Sequence, residues 1–461
     1  MKSFKTILIV ILVFIAGNLR AQEVQQSLPE KTRILFLFDA SGSMLAPWGN
    51  QLRIDAAKEI LSDLVDSLRV NNKVEIALRA YGHLSPAKEQ NCKDTKLEIP
   101  FSANNHDAII QRLKYIYPKG TTPIAYSLER AANDFPENDE YRNIMIIITD
   151  GIESCDGDPC DVSLALQKKR IFLKPFVIGL GMKEQFANQF DCMGKYFNAK
   201  DIEAFRAVLN GILDQSLSKT TASVELLDEN GRPNETNVNV SFINNFTGIS
   251  EFDFVHWRDS QGRPDTVEVD PVLTYDVVVN TIPSVRKENI FLKGGTHNVI
   301  KIKSPQGGLK INQDNSFEYD EAVIALVRKA NNPEIIYTQP VKSTVKYLMG
   351  SYDIELLTLP RTYLNDVKIR QGKLNEIDIP APGRLNIAYS SKGVGSLYQL
   401  DDQGIQRLIK RIDPDGGKIS FGIQPGNYKL VYRSDKALGS KYTQIKTFSI
   451  TSGATQTIRI Y

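Results

Sequence analysis

Two unbroken apolar runs, each ending on an aspartate, constrain this chain more than any other feature. Ile34-Leu35-Phe36-Leu37-Phe38 leads into Asp39, and Ile144-Met145-Ile146-Ile147-Ile148-Thr149 leads into Asp150. Successive side chains of a strand point to opposite faces, so an uninterrupted apolar run marks a strand covered on both sides. Strands covered in this way belong to parallel sheets whose crossovers are helices. A carboxylate at the end of such a strand stands at the carboxyl edge, where open α/β sheets bind ligands. Ala40-Ser41-Gly42-Ser43 follows Asp39, so one tight loop gathers a carboxylate and two hydroxyls. Oxygen donors of this kind suit a hard divalent cation, Mg²⁺ first, with Mn²⁺ and Ca²⁺ as alternatives.

The segments between and around these runs alternate strand with helix. Gln51 to Arg69 carries Ile54, Ala57, Ile60, Leu61, Leu64, Val65 and Leu68, the spacing of an amphipathic helix. Val74 to Tyr81 reads as a second strand. Leu97 to Phe101 reads as a short third one at an edge, since no helix connects it to the second. His106 to Tyr117 is helical by pattern. Thr122 precedes Pro123, a residue suited to the first turn of the helix that runs to about Asp134. Its hydroxyl is placed on a loop at the mouth of the sheet, with Thr121 as the alternative. Phe176 to Leu180 and Tyr196 to Asn198 read as further strands, and Asp201 to Leu217 as a closing helix. The alternation predicts an α/β fold over residues 31–217, a doubly wound and mostly parallel sheet.

Asp39-Ala40-Ser41-Gly42-Ser43, Gly120-Thr121-Thr122-Pro123 and Asp150-Gly151 occur in this order. With them the segment resembles the von Willebrand factor type A (vWA) domain, whose metal-ion-dependent adhesion site (MIDAS) uses such a set. The resemblance implies Asp39, Ser41, Ser43, Thr122 and Asp150 as metal ligands, the last often through water. It also implies an open coordination position that receives a carboxylate from a protein partner. Beside the site, Trp48 is read either as an exposed interface anchor or as a packed loop residue, and His83 either as a ligand contact or as a structural histidine. The loop after Asp150 holds Glu153, Asp156, Asp158 and Asp161, more acid than such a site needs.

The first 21 residues read as a signal peptide, with Lys2 and Lys5 before the apolar run Ile7 to Ile15 and a cut after Ala21. A cut near Ala16-Gly17 and retention as an anchor are the alternatives. Residues 22–30 read as a polar linker, and no later run is long enough to span a bilayer. Export, to the periplasm, the cell surface or the medium, permits disulfides. Of the four cysteines, Cys155 and Cys160 lie close together in Cys-Asp-Gly-Asp-Pro-Cys and are the favoured pair, leaving Cys92 and Cys192 bonded or free. Zinc is not expected, because there is no Cys-x-x-Cys and His83, His106, His256 and His297 are far apart. A net charge of +2 with dispersed Lys and Arg gives no basis for nucleic-acid binding.

From about residue 220 helical periodicity gives way to short alternating runs punctuated by Gly, Asn, Asp and Pro. The runs repeat. Gly295 to Ile302 parallels Gly372 to Ile379, 77 positions on, and Gly453 to Ile460 parallels both. Tyr275-Asp276-Val277, Tyr352-Asp353-Ile354 and Tyr428-Lys429-Leu430 follow the same repeat. Three small antiparallel β-sandwich modules are therefore expected, over residues 222–304, 305–381 and 382–461. Their Gly-x-Tyr-x-apolar step resembles carboxypeptidase-regulatory-like or PEGA-type modules of exported bacterial proteins. Asp413-Pro414-Asp415-Gly416-Gly417 lacks the further ligands of a calcium loop and is expected to be a hairpin turn.

The functional expectation is an exported, non-enzymatic adhesion or binding protein that takes an acidic group of a protein partner through Mg²⁺, its β modules serving as spacer. The alternatives are an envelope glycan-binding or structural protein with the α/β domain as scaffold, and an accessory subunit of a hydrolase. No nucleophile elbow, P-loop or dinucleotide fingerprint is present.

Overall fold

The computed structural model describes residues 28–138, 140–172, 174–182, 190, 192–313, 319–413 and 417–461. The expected signal peptide and most of the linker lie outside the described residues. No described helix is long and apolar enough to cross a membrane.

The amino-terminal head is an α/β unit. Its strands are β1 (Lys31–Asp39), β2 (Val74–Tyr81), β3 (Thr95–Ser102), β4 (Tyr141–Thr149), β5 (Phe176–Leu180) and β6 (Lys195–Ala199). Its helices are α1 (Arg53–Ser67), α2 (His106–Lys114), α3 (Ile124–Ala132), α4 (Pro159–Lys168) and α5 (Ile202–Leu217). The sheet order is β3-β2-β1-β4-β5-β6. All neighbours are parallel except β3, which runs antiparallel to β2 at the edge.

The apolar runs are explained by two separate cores. Ile34, Phe36 and Phe38 of β1 join Ile144, Ile146 and Ile148 of β4 under α1, α2 and α5. Leu35, Leu37, Met145 and Ile147 face the other way, under α3 and the partly buried Val162 and Leu166 of α4. Both faces of β1 are closed, so truncating the fully buried Phe36 to Ala is worth roughly 3–5 kcal/mol of lost packing. Helix α4 has no counterpart in the periodicity reading. Its start is set by Asp158, whose carboxylate accepts from the backbone N–H groups of Cys160 and Asp161, followed by Pro159 in the first turn.

The carboxyl-terminal half is all β. It forms three sandwiches, each a three-stranded sheet facing a four-stranded one, over strands at Thr221–Lys303, Gln306–Ile379 and Gly383–Ile460. Pairing is antiparallel with one correction. In each sandwich the first strand pairs parallel with the last, as Thr221–Leu227 does with His297–Lys303. The repeated tyrosine has a structural cause. Tyr275, Tyr352 and Tyr428 are buried, and each hydroxyl donates to a backbone carbonyl a few residues upstream, of Asp270, Leu348 and Gln424. The expected hairpin turn at Asp413 falls on residues 414–416, which lie outside the described residues; the flanking strands Gln406–Ile412 and Gly417–Ile423 belong to different sheets.

The units are pinned in series. Arg142, at the start of β4, makes a two-pronged ion pair with Asp270 of the first sandwich and donates to the Ser216 carbonyl of α5. Val272 joins the core of the head. One sandwich on, the Leu348 N–H donates to the Ile282 carbonyl at 2.7 Å, and in the next the Gln424 N–H donates to the Leu359 carbonyl at 2.7 Å. Ile282 and Leu359 each pack against the core of the sandwich that follows. The same joint recurs because the same repeat position supplies it.

Candidate metal centre

Chain connectivity in this sheet reverses between β1 and β4, and ligands of open α/β sheets lodge in the crevice at such a point. Asp39 ends β1 there and Asp150 follows β4. Asp39 is fully buried and accepts from the Ser41 N–H at 2.8 Å and from the Thr149 hydroxyl at 2.7 Å. The Ser41 and Ser43 hydroxyls lie 3.0 Å apart, and Ser43 donates to Asp150 Oδ1 at 2.7 Å. Two loops separated by more than a hundred residues are thus joined by hydrogen bonds running from Asp39 through the Ser41 N–H and the Ser41 and Ser43 hydroxyls to Asp150.

Thr122 comes from a third loop. The Gly42 N–H donates to the Gly120 carbonyl at 3.0 Å, which lays the Thr122 loop along the Asp39 loop. Gly82 makes this approach achievable. It has φ +70°, and a Cβ there would stand 2.5 Å from the Thr121 carbonyl and 2.8 Å from Ser41 Cα. A Cβ on Gly151 would meet Ser43 Oγ at 3.7 Å and Thr122 Oγ1 at 3.9 Å, so both hydroxyls converge above that glycine. The Thr121 hydroxyl donates to the Asn91 carbonyl at 3.0 Å. Of the two threonines, Thr122 therefore faces the site and Thr121 braces the loop.

The acidic loop after Asp150 acts as a buttress. The Thr122 N–H donates to Ser154 Oγ at 2.7 Å, and the Ser154 N–H returns a bond to the Thr122 carbonyl at 3.2 Å. Glu153 accepts the Ala125 N–H at 2.7 Å and so caps α3; burial pushes its carboxyl above the ordinary value despite that bond. The expected Cys155–Cys160 bridge is not formed. Cys155 is bonded to Cys92 and Cys160 to Cys192. Asp158 starts α4 between the two neighbours, sending Cys160 onto a helix packed towards Cys192 while Cys155 stays with the buttress. The Cys92–Cys155 bond joins the loop that holds Thr121 to the loop that holds Thr122.

Trp48 and His83 are structural. Trp48 is 7% exposed, and its indole N–H donates to the Lys200 carbonyl at 3.1 Å, so it is no exposed anchor. His83 is buried, with Nε2 2.8 Å from Glu98. Sequence reasoning missed Arg53, the first residue of α1, which donates to Asp150 Oδ2 at 2.7 Å. Its signal was available: a cation at a helix amino terminus opposes the helix dipole. Thr149 and Ser154 were missed as well, since a hydroxyl next to a ligand carries no pattern of its own.

The electrostatics are those of an anionic pocket. Burial first, then the charge of Asp150, pushes the Asp39 carboxyl up from 3.8 to about 6, against the bonds from Ser41 and Thr149. Burial and the Asp39 charge hold the Tyr81 hydroxyl well above its ordinary value. That hydroxyl and Arg53 Nε are buried without a hydrogen-bond partner among the described residues. Two carboxylates against one guanidinium leave one negative charge in excess, and every other donor is a hydroxyl. This set fits a hard divalent ion. Among the described residues no three of His, Cys, Asp and Glu gather, so any metal here depends on hydroxyls. A cleft of about 790 Å³ lies elsewhere, at the junction of head and first sandwich, lined by Phe135, Tyr141, Arg142 and Asp270 among others.

Residues 34–211, the head, match the model of the von Willebrand factor type A domain. Among known proteins, this chain is similar to YwmC and YwmD of Bacillus subtilis (strain 168), both uncharacterized. YwmC is 28% identical over 194 residues, covering 40% of this chain and 85% of that protein. YwmD is 28% identical over 187 residues, covering 38% and 81%. Among solved structures, the conserved hypothetical protein BatB of Bacteroides thetaiotaomicron is 19% identical, covering 39% of this chain and 97% of that one, with a TM-score of 0.33. The vWF domain of the type V pili tip protein Mfa5 of Porphyromonas gingivalis is 12% identical, covering 40% and 95%, also with a TM-score of 0.33.

Proposed function

We propose that this is an exported, non-enzymatic binding protein whose head holds Mg²⁺, or Mn²⁺ or Ca²⁺, through Asp39, Ser41, Ser43, Thr122 and Asp150. The observation that carries the reading is the hydrogen-bonded series from Asp39 through the Ser41 N–H and the Ser41 and Ser43 hydroxyls to Asp150 at the sheet's switch point. A bound divalent ion supplies an electrophilic centre for a carboxylate ligand. The protein's own residues do the rest. The two aspartates balance part of the ion's charge, while the neutral hydroxyls leave it able to attract a further anion. The ligand is an acidic side chain of a protein partner.

The sandwiches, which resemble carboxypeptidase-regulatory-like or PEGA-type modules, act as the mount. Their first joint grips the amino-terminal end of β4, at Arg142, and the site lies at the carboxyl end of the same strand. The site therefore faces away from the mount. Repeated joints at Ile282 and Leu359 make the mount a stiff series rather than beads on a string.

The test is binding of an Asp/Glu-containing peptide to the full mature chain by calorimetry, in Mg²⁺ and in EDTA, with Asp39→Ala alongside. Binding in Mg²⁺ that is lost in both EDTA and the variant supports the reading. Binding that persists in EDTA refutes it.

A further inference from the structure

We propose that Arg53 is a resident cation of the edge site, one that weakens metal binding and leaves the loaded site with surplus positive charge for an anionic ligand. This rests on the metal reading above and adds what sets its affinity.

Arg53 is built into the site. It opens α1, where the helix dipole disfavours a positive charge, and its partner Asp150 lies 97 positions away. The Asp150 side chain is 0% exposed and the Arg53 side chain 20%, so this is no solvated surface pair. The guanidinium lies beside Gly181, whose missing side chain makes room for the neighbouring Trp48 indole. Gly181 has φ +63°, and a Cβ there would stand 3.0 Å from Trp48 Nε1 and 3.7 Å from Arg53 Nη2. Trp48 is itself fixed by the Lys200 carbonyl. The buried Nε of Arg53 finds no partner among the described residues, so the bond that places the guanidinium is the one to Asp150.

Two consequences follow. Asp150 accepts from Ser43 at Oδ1 and from Arg53 at Oδ2, so a metal that it ligates shares the carboxylate's charge and lone pairs with these two donors. The charge balance also changes. The aspartates and Arg53 sum to −1, and a divalent ion brings the site to +1. Without Arg53 the corresponding values are −2 and 0. Removing the guanidinium thus strengthens the attraction for the metal and weakens that of the loaded site for an anion. A residue that served only to hold the fold would weaken both.

The experiment uses the full mature chain. Mg²⁺ alone is titrated calorimetrically into the wild type, Arg53→Met and Arg53→Gln; the glutamine keeps an N–H for Asp150 but no charge. A second titration adds the acidic peptide at saturating Mg²⁺. We expect Kd for Mg²⁺ to fall about tenfold in both variants and Kd for the peptide to rise about tenfold, with Arg53→Lys close to wild type in both. Arg53→Gln alone decides the matter if the methionine variant does not fold. Unchanged or weaker Mg²⁺ binding by the uncharged variants, with a wild type that binds, overturns the role of Arg53 and leaves the metal reading standing. No Mg²⁺ binding by any of the proteins overturns both.

Discussion

Asp39→Asn is expected to stabilise the metal-free protein while abolishing its response to metal. The fully buried Asp39 carboxyl titrates near 6 rather than 3.8, because burial and the Asp150 charge both oppose its ionisation. A folded-state value above the unfolded one means that the folded protein holds the proton through the interval between them. The contribution of Asp39 to stability is therefore greatest below about pH 4, falls as pH rises towards 6, and is flat above, for a total of about 3 kcal/mol. The amide removes that term and keeps the local bonds. Thr149 Oγ1 lies 2.7 Å from Asp39 and 3.0 Å from the Gly151 carbonyl. Its proton can thus turn to Gly151 while its oxygen accepts from the new amide. In EDTA at pH 8, Asp39→Asn should melt roughly 6–12 °C above wild type, at about 2–4 °C per kcal/mol for a domain of this size. Added Mg²⁺ should raise only the wild type. Thermal melts across pH 4–8, with EDTA and with Mg²⁺, measure all of this. A variant that melts below wild type in EDTA at pH 8, or a difference between variant and wild type that is flat between pH 4 and 6, refutes the reasoning.

Three other perturbations separate the parts of the account. Replacing Cys92 and Cys155 by Ser opens a loop of 63 residues and should cost roughly 4 kcal/mol in the chain-entropy picture, with weaker Mg²⁺ binding because the Thr122 loop loses its brace; denaturation and calorimetry read both. Arg142→Ala leaves Asp270 charged and buried, with a loss of roughly 3–5 kcal/mol at the head-to-sandwich joint. Small-angle scattering should then show a broader range of shapes, and unchanged scattering with full stability contradicts a stiff mount. Tyr352→Phe deletes a single buried donor and should destabilise its sandwich by about 1 kcal/mol in urea unfolding, with no change in Mg²⁺ affinity.

What the sequence made legible follows from periodicity. Ile34 to Phe38 and Ile144 to Ile148 announce a sheet covered on both sides, and the chain order of Asp39, Thr122 and Asp150 places them at one edge. The 77-residue repeat announces the three sandwiches. The remainder depends on contacts between distant segments, which no local pattern encodes. Helix α4 is short, and its start depends on the Asp158 cap more than on an apolar stripe. The Cys155–Cys160 expectation rested on closeness in sequence, whereas pairing followed the turn at Asp158 and the reach of the Cys92 loop. Trp48 reads from the sequence as either an anchor or a packed residue, and the Lys200 carbonyl and Gly181, which enclose it, decide for the second. Arg53 shows in the sequence only as a cation at a helix amino terminus; its partner, 97 positions away, does not.

The central claim is that three loops at one sheet edge share one hard cation, and the most direct test is anomalous diffraction from crystals of the full chain soaked in Mn²⁺. The account predicts one strong peak bordered by Asp39, Ser41, Ser43 and Thr122, with Asp150 beside it and oxygen distances of about 2.0–2.3 Å for the direct ligands. Saturating Mn²⁺ with no peak at that edge, or a peak among other residues alone, would contradict it.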